Sequence, residues 1–437
     1  MDDKWKVKKA TYHLYTFMIS KLISTFGAQI YTFAISFYIL QMTGSAASFA
    51  TNLICNILPR AILAPFAGAI TDRYSKKTIV ICSQIATTLT IVGLLLVTLT
   101  TGLSLLSIYV TTCILSVTST FSGIAFTSSI TGLIDKERIQ KAMSLNQMSI
   151  SFAAVGSPAI GGLLYGTVQI PVFLLVYMTA SILALILEST MNFRLFSQQK
   201  EEKEGKQKDS ILESIKLGIA YLKLQPVIVL MLWIGLMVNF LFGAFEVGYS
   251  YILIEKLKME PQHFGLTQGA FSVGMVVMSL YFSIRKEVKF PLLVSKRGIL
   301  ALGVIMGAIS FPLMSNLTYN FVFAYYLIIM FCFGSIIMVI NTPLQVMLQK
   351  TIDDDYKGRV FSIIETMSMA LIPLGMVMYG ILYDLFPGQW VLLLSAAFLI
   401  LVVLVLARPS VLRKAHPELA ENHLEIAVKE REMKLKI

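Results

Sequence analysis

Twelve apolar runs constrain this chain more than any other feature. They cover residues 14–40, 47–70, 78–100, 104–134, 142–167, 170–190, 226–253, 263–284, 292–315, 318–349, 360–385 and 389–407. A helix needs about 20 such residues to cross a bilayer, and each run reaches or approaches that length. With 56% of the 437 residues hydrophobic and only 14% charged, a water-soluble fold would leave far too much apolar surface in water. Turn residues separate the runs, among them Thr43-Gly44-Ser45, Thr101-Gly102, Glu260-Pro261 and Pro387-Gly388. The expected class is an all-α integral membrane protein with twelve transmembrane helices.

Charge placement orients these helices. With the N-terminus in the cytoplasm, 32 of the 36 Lys and Arg residues fall in the termini, the 191–225 linker or the inward hairpins. Basic residues collect on the cytoplasmic side of a membrane, so both termini are expected there, in the plasma membrane. The net charge of +11 is then an orientation signal, and nucleic acid is not an expected partner. The N-terminus lacks a cleavable leader pattern, because its first apolar run continues as a spanning helix.

The two halves repeat. At an offset of 218, Ile134-Asp135 meets Ile352-Asp353, Ser144 meets Ser362, Gly162 meets Gly380 and Tyr165 meets Tyr383. Two pseudo-symmetric six-helix bundles are therefore expected, at residues 1–191 and 226–407. A charged cytoplasmic linker with an interfacial helix (192–225) joins them, and a solvated tail (408–437) follows. Parallel repeats suit a transporter that rocks two lobes about a central site.

Polar residues inside the spans mark that site. Asn52, Asn56 and Arg60 recur every four residues on one helical face, and Arg60 lies near mid-span. An unpaired cation there costs at least about 2.5–3.5 kcal/mol, so it needs water or a partner; carbonyls near Pro59 would serve a purely structural arginine. Asn239 and Glu246 share a face of the seventh span, among Phe240, Phe242 and Phe245. Glu246 either couples proton entry to substrate exit or is simply the counter-ion of Arg60; Glu365 is its rival, and Asp384 lies too near the far end. Gln29, Asn341 and Gln345 complete the expected chamber wall. Aromatic walls with few charges favour a bulky amphipathic solute; the same aromatics equally suit lipid-facing or core-packing positions.

No catalytic constellation is visible. The cysteines (Cys55, Cys82, Cys113 and Cys332) have no metal or disulfide spacing. All four histidines lie at segment ends, in loops or in the tail, so no histidine-based metal site or triad is expected in a core. The phosphate-cradling Gly-x-x-x-x-Gly-Lys-Ser/Thr sequence is missing, which removes ATP as the direct energy source. Neither enzymatic activity nor a cofactor is expected.

Two short motifs remain. Between the second and third runs stands Gly68-Ala-Ile-Thr-Asp72-Arg73-Tyr-Ser-Lys76-Lys77, and the fifth run contains Gly156-Ser157-Pro158-Ala159-Ile160-Gly161-Gly162. Residue by residue, each also reads as something plainer, a positive-inside loop and glycine-rich helix packing. Together they resemble the loop 2–3 signature and the antiporter motif of the major facilitator superfamily, with Ser75 and Lys76 departing from the first and Ser157 from the second. The resemblance extends over essentially the whole chain and implies that family's fold. It also implies a gate at Gly68, Asp72, Arg73, Lys76 and Lys77, with Asp135, Arg138, Asp353 and Arg359 as candidate partners, and a packing role for Gly156, Ser157, Pro158, Gly161 and Gly162. Glycines at positions 265, 269 and 274 are the expected contact surface for that second motif.

The run from Leu58 to Gly68 looks most like the macrolide-efflux branch. That likeness implies a secondary exporter of amphipathic, drug-like molecules, exchanging them for protons by alternating access and acting as a monomer. A siderophore or lysolipid exporter, or a facilitator or importer of the same fold, remains the alternative.

Overall fold

The computed structural model describes residues 2–135, 138–193, 195–196, 211–285, 288–315, 317–353 and 357–408. The tail beyond Arg408 and the charged stretch 197–210 lie outside the described residues. Six spanning helices form the first half: α1 (Asp2–Thr43), α2 (Ala46–Arg73), α3 (Lys76–Thr100), α4 (Leu105–Ser128), α6 (Ile139–Tyr165) and α7 (Ile170–Ser189). A single turn, α5 (Ile130–Leu133), follows α4. The amphipathic α8 (Ile211–Lys223) leads into the second half: α9 (Pro226–Tyr251), α10 (Pro261–Ile284), α11 (Pro291–Ala308), α12 (Tyr319–Thr351), α13 (Lys357–Ala370), α14 (Ile372–Leu385) and α15 (Gly388–Leu406). Twelve of the described helical stretches are long and apolar enough to cross a membrane, one of them running from Thr366 to Leu385.

Local chemistry sets the boundaries. Gly44 and Gly102 take φ of +62° and +83°, the left-handed geometry that turns α1 into α2 and α3 into α4. Ser45 caps α2 by accepting from the Ser48 N–H, and Ser104 and Ser107 form a reciprocal capping box on α4. Pro226, Pro261 and Pro291 each begin a helix, where the missing N–H would be unpaired anyway. The eleventh span breaks at Leu371 because Pro373 has no N–H to return to the preceding turn.

Packing repeats between the halves. In the first, α1 lies against α6 and α7, α4 against α2 and α3, and α3 against α7. In the second, α9 lies against α14 and α15, α12 against α10 and α11, and α11 against α15. The bundles meet where α6 crosses α10 and where α2 crosses α14. Beneath them, Tyr221 and Leu222 of α8 are buried against Ile228, Leu232, Ile352 and Val360, so the linker helix is tied to the second bundle.

Candidate functional site between the bundles

The contacts joining the bundles gather at one end of the molecule, opposite the α2–α3 turn with Lys76 and Lys77. We call these the far end and the basic end. At the far end α6 and α10 touch backbone to backbone: a Cβ on Gly162 would strike the Pro261 carbonyl, and one on Gly265 would strike that of Pro158. Gly269 continues the seam beside Val155, and the Ser272 hydroxyl donates to the Ala154 carbonyl at 2.9 Å. Pro158, Gly162, Gly265 and Gly269 thus meet at the crossing. Gly156 and Gly161 instead receive Phe26 and Phe33 of α1, while Ser157 is fully buried. Gly274 does not join the crossing; it lies under Phe331 and Ser335 of α12 in its own bundle.

The second crossing is tied by a residue that sequence reasoning ranked low. Asp384, at the end of α14, accepts from the Ser45 hydroxyl at 2.6 Å, the Ala46 N–H at 2.7 Å and the Ala47 N–H at 3.2 Å. These donors form the positive N-terminal end of α2. One turn earlier, Gly380 lies against Ala46, Ala47 and Ala50, where any Cβ would crowd them. Aromatic rings fill the space between the crossings: Phe33 and Phe37 of α1 approach Phe264 of α10 at 5.6 and 5.9 Å, and Phe264 stacks on Tyr249 of α9 at 5.5 Å. Toward the basic end the packing loosens. Phe66 and Phe152 are both 60% exposed, and the Gly68 Cβ position meets nothing within 4 Å.

Expected wall residues divide into two groups. Gln29, Asn56, Arg60, Asn341 and Gln345 are exposed, and Asn239 and Glu246 are half-buried. None of their side chains has a hydrogen bond or ion pair among the described residues. Polar groups in spanning helices that lack protein partners require water. Asn52 differs: it is 4% exposed, and its amide oxygen accepts from Thr112 of α4 at 2.9 Å. It joins two helices of one bundle because its face of α2 turns toward α4, where Ser116 also donates to the Asn56 carbonyl.

Arg60 and Glu246 do not pair. Counted from the basic ends of α2 and α9, they stand about 10 Å apart in depth at 1.5 Å per residue. Arg60 lies instead within electrostatic reach of Lys21 on α1. Lys76 and Lys77, expected at the gate, reach into their own bundle. Their ammonium groups donate to the Ser128 carbonyl at 2.7 Å and the Ser189 carbonyl at 2.9 Å, capping the negative ends of α4 and α7. The side chains of Asp72, Arg73 and Glu365 lie outside the described residues. Asp135 binds Arg138, which also donates to Thr11 at 2.6 Å.

Two buried groups were overlooked in the sequence. Glu188 closes the apolar run of α7 and resembles a boundary residue, yet it is 3% exposed. His13 is fully buried within α1, which corrects the expectation that every histidine lies outside a core. Among the described residues no group of three or more His, Cys, Asp or Glu side chains has metal-binding geometry.

Comparison with known proteins agrees with this architecture. The family model "Major Facilitator Superfamily" matches residues 17–375. An uncharacterised MFS-type transporter, YfiS of Bacillus subtilis, is 26% identical over 402 residues, covering 90% of this chain and 92% of its own. Macrolide efflux protein A of Streptococcus pyogenes is 20% identical over 412 residues, covering 94% and 98%. Among solved structures, the nucleoside transporter NupG superposes with a TM-score of 0.67 at 12% identity, covering 90% of this chain and 98% of its own. A bacterial homologue of the iron transporter ferroportin in its inward-facing state gives 0.66 at 15%, with the same coverage. At these identities the structures share the fold. A family match over most of the chain, twelve spans and two bundles packed alike lead to one conclusion: the chain belongs to the Major Facilitator Superfamily and is a multi-pass membrane transporter.

Proposed function

We propose that this transporter exports bulky amphipathic molecules of the macrolide kind across the plasma membrane by exchange for protons, as a monomer with both termini in the cytoplasm. The observation that carries this reading is Glu246, a half-buried carboxylate without a partner among the described residues, on a helix that lines the bundle interface beside Phe242, Phe245 and Phe333. A carboxylate so placed gains and loses a proton as the chamber exchanges access between faces. Arg60, Asn56, Gln29, Asn239, Asn341 and Gln345 supply sparse hydrogen-bonding groups on an otherwise apolar and aromatic wall, which suits a large solute with few charges. In this reading the basic end faces the cytoplasm, the far end is the closed outer gate, and the chain is inward-facing. The α6–α10 crossing is the pivot that the antiporter-like motif builds, and the loop from Gly68 to Lys77 closes the inner side in the alternate state. The relationship to macrolide efflux protein A supports the substrate class.

The test uses everted vesicles with an imposed pH gradient, screened against macrolides, dyes and siderophores. Uptake should require the gradient in the wild type and lose it as a driving force in Glu246→Gln. Accumulation that survives collapse of the gradient removes proton exchange. Gradient-driven accumulation by Glu246→Gln removes the assignment of Glu246.

A further inference from the structure

The buried seam between α1 and α7, outside the chamber, holds two polar atoms without hydrogen-bond partners among the described residues: Glu188 Oε2 and His13 Nδ1. The other Glu188 oxygen, Oε1, accepts from the Ser20 hydroxyl at 2.7 Å. The other His13 nitrogen, Nε2, accepts from the Asn192 N–H at 3.3 Å, so in the neutral ring Nδ1 carries the hydrogen. His13 and Ser20 are seven residues apart on α1, hence on one face and about 10 Å apart along the axis. Both are fully buried, with His13 nearer the basic end. An unpaired donor and an unpaired acceptor thus occupy the same seam.

The charged groups around Glu188 come from three helices. From α1 come Lys21 and, nearer the end, His13 with Lys9 beside it; from α3 comes Lys77, bound to the Ser189 carbonyl and also facing His13; Arg60 of α2 lies within reach of Lys21. Among the described residues Glu188 forms no ion pair with any of them. A buried ionised carboxylate served by one hydroxyl is poorly stabilised, whereas a neutral acid keeps the Ser20 bond and holds its proton on Oε2.

We propose that Glu188 is a second proton-binding site, separate from Glu246 and reached from the basic end past His13. A proton from water at that end adds to Nε2 as the bond from the Asn192 N–H is given up, the imidazolium releases the hydrogen on Nδ1 into a short file of buried water, and that proton comes to rest on Oε2. When it leaves, the carboxylate draws on Lys21 for compensation, which ties the state of the seam to α1.

The experiment is infrared pH-difference spectroscopy of the full chain in lipid, without substrate or gradient, so that it stands whether or not Glu246 drives exchange. The wild type should show a protonated-carboxyl carbonyl band that Glu188→Gln loses and Glu246→Gln keeps. Ser20→Ala and Lys21→Met should retain the band to higher pH, because each removes support for the ionised form. After a pH jump, His13→Phe should slow its appearance at least tenfold. A band unchanged in Glu188→Gln overturns the site. Wild-type midpoints in both Ser20→Ala and Lys21→Met overturn its described surroundings, and an unchanged rate in His13→Phe overturns the route.

Discussion

Removing the Asp384 carboxylate should open the far end. Its three bonds, to the Ser45 hydroxyl and the Ala46 and Ala47 N–H groups, are the charged tie across the α2–α14 crossing. A hydrogen bond to a charged group is worth about 1.5–3 kcal/mol when sheltered, and a charge at a helix N-terminus about 0.3–1 kcal/mol at an exposed surface. Asp384 is itself exposed, so water recovers part of that energy in the open state. A net loss of about 2 kcal/mol is reasonable, and at 1.4 kcal/mol per factor of ten the closed population falls roughly 30-fold relative to the open one. Spin labels at Thr101 and Leu317, on the far-end loops of the two bundles, would report it by pulsed electron resonance. Asp384→Ala should add or enlarge a long-distance population. Ser45→Ala should do the same more weakly, and the double variant should match Asp384→Ala instead of reaching the sum, because the bond lost in Ser45→Ala is already lost in Asp384→Ala. Distance distributions identical to wild type in Asp384→Ala, or fully additive effects, would refute the clasp.

Other substitutions separate packing from gating. Gly162→Val places carbon against the Pro261 carbonyl and should cost about 1–3 kcal/mol of the closed state, read as a longer Thr101–Leu317 distance. Thr112→Val leaves the buried Asn52 oxygen without its donor and should lower stability by about 1–3 kcal/mol, measured by thermal unfolding in detergent, while transport per folded molecule stays near wild type. Lys77→Met should lose about 1 kcal/mol of stability with the α7 cap; a large transport loss at unchanged stability would instead restore Lys77 to the gate.

The architecture was legible because lipid leaves the sequence few choices. Each span must satisfy its own backbone, so apolar length alone located the twelve helices to within a few residues at most ends. The site was less legible, because a helical face says nothing of what lies opposite it. Asn52, Asn56 and Arg60 do share a face, but α4 takes Asn52 and leaves the other two side chains without partners among the described residues. Proximity of Arg60 and Glu246 was inferred from chemical complementarity, which carries no information about depth. Glu188 and Asp384 were passed over for one reason, that a carboxylate near the end of an apolar run resembles a solvated boundary. The neighbouring helix decides otherwise, burying one under α1 and seating the other on the free N–H groups of α2.

The repeat identities acquire physical meaning in the fold. Gly162 and Gly380, matched at an offset of 218, occupy equivalent places at the two crossings, each with the opposite bundle against its Cα. Their companions Tyr165 and Tyr383 both anchor to the first helix of their own bundle, through the Gln41 side chain at 3.0 Å and the Ala244 carbonyl at 2.7 Å. One device, a glycine facing outward and a tyrosine facing inward, was therefore retained in both halves where they must touch. The halves differ in what locks the device. The α6–α10 crossing relies on backbone contact and small residues, which separate without losing a charge pair, whereas α2–α14 adds the Asp384 carboxylate to a helix end. A rocking motion that parts the far end therefore meets its electrostatic resistance at α14. In Gly380→Val, removal of the Asp384 bonds should produce little additional opening, because the crossing that carries them is already forced apart.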